Sequence, residues 1–286
     1  MGCLITMATH DTAENKRSEM TYRTLESLER TVDFSRHRLI VVDNGSIEET
    51  HAIYQLFANR FRFEVIYNGT NLGTARALNR AWQHRKPGWH ILKLDNDAVI
   101  EEPGWLDRLE ECVEREPRLG LLGLKRKDLD ERPDHEAEHY RSELVMLPHE
   151  KGQRWLVVER VLHTIGTCLL HSSRLLDRVG YLFQPTLYGL DDSAMAARCY
   201  AAGFFAAFYP HYTIHHIDPG GDDYCQWKRE EADAKWPVVG LLGRGFKLGL
   251  IDPYYGGEGT KFKLTDAGRE LLARGEFPAD AMEFCE

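Results

Sequence analysis

The sequence predicts an α/β fold: a mostly parallel sheet with helices on both faces, plus a small C-terminal appendage. Three observations carry that expectation. Across residues 1–100, short apolar runs alternate with stretches of helical spacing, which implies βαβ units and hence parallel strands. Three of those runs end abruptly in polar clusters, as expected where strands deliver side chains to a ligand crevice. The composition, 43% hydrophobic and 28% charged over 286 residues, is that of a globular chain and sets aside disorder and fibrous repeats.

In chain order, the apolar runs Leu4–Thr9, Leu39–Asp43, Phe63–Tyr67 and His90–Leu94 read as strands. Between them Leu25, Leu28 and Val32 keep the spacing of one helix face. So do Ile53, Leu56 and Phe57, and then Ala75, Leu78, Ala81 and Trp82. A helix over Glu101–Arg118 precedes a strand at Leu119–Leu124, and the charged stretch Lys125–His139 reads as a solvated excursion. Strands near Trp155–Val161 and Thr167–His171 follow, then helices over Ser173–Val179 and from Asp191 to about Ala202. The remaining residues, rich in Gly and Trp, offer one helical pattern at Asp266–Arg274. No internal repeat or low-complexity linker divides the chain.

Charge and cysteine usage narrow the function classes. Lys and Arg total 36 against 45 Asp and Glu, a net charge of −9. This lacks the broad basic footprint of phosphate-backbone binding, although a local basic groove stays open. No run approaches the roughly 18 apolar residues that span a bilayer, and no signal peptide is read at the start. The six cysteines show no CxxC spacing and are expected reduced, with the cytoplasm as the expected compartment.

The chemistry is expected at the strand ends. Asp95-Asn96-Asp97 closes the His90–Leu94 run. Two carboxylates at a strand's end suit a hard divalent cation, which takes oxygen ligands, although Asp and Asn are equally ordinary turn formers. Asp43-Asn44-Gly45-Ser46 closes another run, and Ser46 with Glu49 reads as a helix capping box. Asn71-Leu72-Gly73 opens a helix that carries Arg76, either as a cap or as a loop approaching a ligand. Asp191-Asp192 starts a helix with Arg198 two turns on, on the same face. That pair reads as a cap, or as a site where one carboxylate is a general base. His215-His216 reads as surface or as imidazole for a metal.

Taken together, the segments VVDNGS, NLGTARALN, KLDND, IGTCLLHSSRLLDRVGYL, YGLDDSAMAARCYAAG and FYPHYTIHH resemble the family 2 inverting glycosyltransferases of the GT-A fold, from Leu4 to about His216. The resemblance implies a Rossmann-like, nucleotide-sugar-dependent enzyme. Residues 1–218 would form the GT-A domain, with 1–100 as the nucleotide-sugar-binding half and 101–218 as the acceptor and catalytic half. Residues 219–286 would be an extension serving as lid and acceptor-site element. It implies that Asp43 and Arg76 contact the nucleobase, aided by Thr9, with Asn71 on the loop nearing the donor. Asp95 would touch ribose or metal, and Asp97 would bind the cation, Mn2+ or Mg2+. His215 or His216 would be a third ligand, the register leaving both open. Asp192 would be the base, Asp191 its acceptor-orienting neighbour, and Arg198 a brace for the pair. Two departures stand out: Ala194 sits where a further acidic residue is usual, and the Thr9–Lys16 segment is longer and more polar than the usual turn.

The reaction implied is sugar transfer from a nucleoside-diphosphate donor, UDP-sugar favoured, to an acceptor hydroxyl with inversion. A cation neutralises the leaving diphosphate and a carboxylate takes the hydroxyl proton. The acceptor stays open among glycan, protein, nucleic acid and small molecule. The segments Arg126–Gly152 and Asp218–Tyr255, with Trp155, Trp227 and Trp236, are expected to shape its site, and Gly220-Gly221-Asp222-Asp223 to act as a mobile lid. Two other readings compete. A non-catalytic sugar-nucleotide or carbohydrate-binding module would not need a base. A sugar nucleotidyltransferase would want a Gly-rich basic loop after the first strand, and Thr9–Lys16 has no Gly.

Overall fold

The structure, a computed structural model, describes residues 2–127, 142–217, 222–255, 261–277 and 279–286, with side chains at all of these except 222–229, 231–234 and 279–281. The chain begins β1 (Cys3–Thr9), α1 (Ser18–Thr31), β2 (Arg38–Asp43), α2 (Glu48–Ala58), β3 (Glu64–Tyr67), α3 (Thr74–Trp82) and β4 (His90–Asp95). A two-residue β5 (Ala98–Val99), α4 (Trp105–Arg115) and β6 (Leu119–Arg126) follow, then β7 (Glu143–Met146), β8 (Val157–Val161) and β9 (Cys168–His171). The rest comprises α5 (Ser173–Val179), α6 (Asp191–Ala201), β10 (Phe205–His216), α7 (Asp222–Lys247) and α8 (Asp266–Ala273).

The strands form one sheet in the order β3-β2-β1-β4-β9-β6-β10-β8-β7, with β5 pairing β10 alone. β3, β2, β1 and β4 are all parallel, and β6 and β10 are parallel to each other. β9 runs antiparallel between β4 and β6, and β8 runs antiparallel beside β10. Alternation along each strand divides the core between two faces. Ile5, Met7, Leu39 and Val41 pack with Leu25, Leu28, Tyr54, Phe57, Trp105 and Leu109 of α1, α2 and α4. Leu4, Ile40 and Val42 pack with Leu78, Trp82, Leu175 and Met195 of α3, α5 and α6. The two large indoles each satisfy their one donor inside: Trp82 Nε1 donates to Thr6 Oγ1 at 2.9 Å and Trp105 Nε1 to Thr31 Oγ1 at 3.2 Å.

Beyond the unforeseen short strands β5 and β7, three features depart from the sequence expectation. The segment expected to carry a single helix at Asp266 also contains α7, which spans 26 residues. Pro237, Gly240, Gly243 and Gly245 interrupt its helical pattern. Gly243 lets α7 approach α6 closely, since a Cβ there would lie 3.3 Å from that of Ala197. Packing of Val238, Val239 and Leu242 against Ala194, Phe262 and Leu264 then carries the helix, overriding its weak propensity. β10, for which no strand was expected, continues through Pro210 to His216, with a register shift between Tyr209 and Thr213 that accommodates the proline. The expected capping box at Ser46 does not form: α2 is preceded by Ile47 without a side-chain cap, and Ser46 Oγ is engaged by the Asp11 N–H and Thr9.

Within the charged excursion from Lys125 to His139, residues from 128 onward lie outside those described, as do Gly220 and Gly221 of the expected lid and the Cys225 and Trp227 side chains. Among the described residues no helix is long and apolar enough to cross a membrane. The described cysteines are all free thiols, Cys3, Cys112, Cys168 and Cys199 buried.

Candidate active site

Parallel register aligns the strand ends: Thr9 lies opposite Asp43, Asp43 opposite Tyr67, and Ala8 opposite Asp95. At this edge opens a cavity of about 870 Å3, where an α/β sheet is expected to bind its ligand. Thr9, Asn71, Asp95, Asp97, Asp191, Asp192 and His216 all line it. Asp43, Arg76, Arg198 and His215 are not among its lining residues.

On the β2 side, Asp43 is 1% exposed. Its Oδ1 accepts the Gly45 and Ser46 N–H groups at 3.0 and 3.1 Å and its Oδ2 accepts the Tyr54 hydroxyl at 3.0 Å. Burial would raise this carboxyl, but those donors hold it below the usual range. The strand-end carboxylate therefore braces the turn and Tyr54 and does not line the cavity. The group of this turn that faces the cavity is Asn44, whose Nδ2 donates to Asn71 Oδ1 and Gly73 O, and whose Oδ1 accepts from Asn68 Nδ2 and Leu72 N. Gly73 takes φ 81°, and a Cβ there would meet the Leu187 carbonyl oxygen at 2.7 Å, so glycine is required where α3 begins. Arg76 is half-buried on α3, and its Nε has no partner among the described residues.

The Asp95–Asp97 corner is built by pairing across the sheet. The Asp95 N–H donates to Thr167 O at 2.8 Å, and β5 pairs with β10 so that His216 lies opposite Ala98. The middle residue, Asn96, turns away and donates to Asp11 Oδ1 and Thr21 Oγ1 at 2.9 and 2.8 Å. Asp97 Oδ2 accepts from the Arg17 guanidinium and lies 3.4 Å from His216 Nε2. His215 faces outward to Glu101, 3.7 Å away. The pairing thus separates two neighbours that the sequence left equivalent. Burial pushes the Asp95 carboxyl up to about 6 despite Lys93, with Asp97 and Asp191 adding repulsion. Asp97 is held below the usual range because His216 and Arg17 outweigh its burial.

Asp97 Oδ1 and His216 Nδ1 are buried without hydrogen-bond partners among the described residues. With Asp95 at the end of β4, two residues before Asp97, this donor set offers the oxygen and imidazole ligands that a hard divalent cation takes. Among the described residues, ligand atoms of three such groups come within 4.8 Å of one another elsewhere, where His37, Asp107 and Glu110 meet beside the start of β1. There His37 Nδ1 accepts the Cys3 N–H and Nε2 faces Asp107 at 3.2 Å, which makes Nε2 the protonated nitrogen. Arg36 already neutralises both carboxylates. That cluster is an ion-pair network at the opposite edge of the sheet.

The start of α6 supplies the second acidic pair. Leu190, just before it, adopts φ 63°, a conformation unfavourable to a branched side chain and the kind of local strain that concentrates at functional sites. Asp191 Oδ2 accepts from Lys93 Nζ at 2.5 Å, both side chains being buried. Burial works against the Lys93 charge; Asp191, Asp95 and Asp192 overcome it and hold the ammonium above the usual lysine range. Asp192 Oδ2 accepts the Gly166 N–H at 3.1 Å and Oδ1 lies 3.6 Å from His163 Nε2. Burial works against its charge, but His163, Lys93 and the Ser193 N–H win and hold the carboxyl well below the usual range. His163 is raised in turn, Asp192 outweighing its burial. Arg198 does not brace this pair. It is buried, and its guanidinium donates to the Val179 and Tyr181 carbonyls at 2.9 and 2.8 Å, locking α6 to α5 and the residues that follow it.

Sequence reasoning therefore missed Lys93, His163, Asn44 and Arg17. A signal existed for Lys93, a lone cation inside the apolar run Ile91-Leu92-Lys93-Leu94, since a buried strand holds a charge only when it is paired. His163 and Arg17 carry no local signal. Trp155, expected near the acceptor, is 63% exposed and stacks on His149. Trp236 is 55% exposed.

Comparison with curated protein sequences gave no match. Among solved structures, S. aureus TarS residues 1–349 is similar over 86% of this chain and 71% of that one, with 17% identity and a TM-score of 0.57. The Pyrobaculum calidifontis mannosyltransferase PcManGT, solved with GDP-Man and Mn2+, covers 98% of this chain and 77% of its own, with 16% identity and a TM-score of 0.60. GalNAc-T7, solved with UDP, GalNAc and Mn2+, covers 76% and 44%, with 12% identity and a TM-score of 0.56. At such identities the likeness is one of fold, the GT-A glycosyltransferase fold. Residues 12–180, more than half of the sequence, match the family model described as glycosyl transferase family 2, and the chain belongs to that family.

Proposed function

We propose that this glycosyltransferase moves a sugar from a nucleoside-diphosphate donor, UDP-sugar favoured, to an acceptor hydroxyl with inversion and with help from Mn2+ or Mg2+. One observation carries the reading: two acidic pairs about a hundred residues apart in the chain line one cavity, one beside His216 and the other beside His163 and Lys93. Asp97, Asp95 and His216 would hold the cation, which when bound supplies positive charge to the leaving diphosphate. Thr9, Asn44 and Asn71 bound the nucleotide side of the cavity, with Asp43 fixing the turn behind them and Arg76 on the adjoining helix. Asp192 is the base: it is ionised and more exposed to the cavity than Asp191. Asp191, tied to Lys93, fixes the start of α6 and orients the acceptor. The chain from 219 onward is assigned to an extension shaping the acceptor side, where Lys235 of α7 reaches the cavity wall.

Two measurements test these roles. Asp97→Ala is expected to remove most of the gain in UDP affinity that Mn2+ provides, about tenfold or more; titration calorimetry with and without Mn2+ reads that gain. Equal affinities for the variant and the wild type in Mn2+ would refute the metal role. His163→Gln is expected to move the acid limb of the kcat/KM profile upward. His163 favours the charged form of Asp192, so its removal lets the carboxyl rise. A limb at unchanged pH would show that His163 does not govern the base.

A further inference from the structure

We infer that Arg17 is a displaceable counter-ion of Asp97 that couples entry of the divalent cation to entry of the donor diphosphate; the inference rests on the metal-assisted reading above. Arg17 immediately precedes α1 and lines the cavity. Its guanidinium donates to Asp97 Oδ2, the oxygen that also faces His216 Nε2 at 3.4 Å, while Oδ1 is left buried and unpartnered. The loop before it is tied down independently of any ligand. Asn15 Oδ1 accepts the Thr12 and Arg17 N–H groups at 2.8 and 3.2 Å, Asn15 Nδ2 donates to His10 O at 2.7 Å, and Lys16 takes φ 54°. This polar loop, longer than the family's usual turn, thereby aims a cation at the carboxylate assigned to the metal.

A guanidinium and a divalent ion cannot both sit against one carboxylate in a half-enclosed site without strong repulsion. One must yield. The Arg17 side chain is 22% exposed and that of Asp97 5%, so the arginine is the partner with room to move. A diphosphate offers it a replacement, because guanidinium donors match phosphate oxygens in pairs. The cation alone therefore meets a carboxylate whose Oδ2 is already held by Arg17 and which offers it Oδ1 alone, whereas with the diphosphate present the guanidinium has another acceptor. Their affinities become linked, each raising the other.

The test is Mn2+ binding to the full chain, read by the electron paramagnetic resonance of free Mn2+. It is run with and without UDP, correcting for the Mn2+–UDP complex formed in buffer. Arg17→Gln is expected to bind Mn2+ alone about tenfold tighter than wild type and to lose most of the enhancement by UDP. Arg17→Lys, which keeps the charge, is expected to stay within a few-fold of wild type. A merely structural role would weaken Mn2+ binding in both variants. If Asp97→Asn abolishes Mn2+ binding but Arg17→Gln binds it no tighter than wild type, or keeps the full UDP enhancement, the inference is overturned and the metal reading stands. Mn2+ binding indifferent to Asp97→Asn would overturn both.

Discussion

Asp192→Asn is expected to bind UDP as the wild type does and to lose transfer, with kcat lower by about 10²- to 10⁴-fold, the range a positioned general base supplies. The amide is isosteric, so it can still accept the Gly166 N–H that positions Oδ2, but it cannot take a proton from the acceptor. Asp191 is a poor substitute: it is buried, and Lys93 Nζ donates to it at 2.5 Å. A carboxylate held below the usual range is a weak base in the ground state. On the proposed reading its part would come late, when bond formation to the anomeric carbon acidifies the attacking hydroxyl. UDP release from a donor panel, measured against UDP affinity, separates the two effects. Turnover within about twofold of wild type would remove Asp192 from the reaction.

The fold half of this chain was legible because its signals are local. Strand runs, helical spacing and polar strand ends lie within a few residues of one another, and parallel register then aligns Thr9, Asp43 and Asp95 without further information. What was not legible depends on long-range pairing. The neighbours His215 and His216 look identical in sequence; the two-residue β5 decides between them by turning one toward Asp97 and the other toward Glu101. Arg198 shares a helix face with Asp191, yet the Val179 and Tyr181 carbonyls, fixed by the packing of the preceding segment, capture its guanidinium. Asp43 sits where a ligand contact was expected, and the Gly45 and Ser46 N–H groups and the Tyr54 hydroxyl engage both its oxygens. In each case the residue type and place were readable and the partner was not.

Lys93→Met should lower stability by about 3–5 kcal/mol, the usual consequence of removing one partner from a buried ion pair. Lys93 is 5% exposed in the middle of β4, between Leu92 and Leu94. Three carboxylates, Asp191, Asp95 and Asp192, contribute to holding its charge. Methionine keeps the length and most of the packing, so the loss is electrostatic: Asp191 would remain buried without its cation. Asp191→Asn in the same background should recover much of the loss, because the uncompensated charge is gone. Urea unfolding midpoints of the two single variants and the double variant close the cycle, with m-values checking that the transition stays two-state. Additive effects would mean the 2.5 Å contact contributes no coupling. A large favourable coupling would explain why a central strand keeps a lysine where an aliphatic residue would pack as well. The ammonium pairs with the first acidic residue of α6 at the cavity wall, while the side chain of the second is the more exposed of the two.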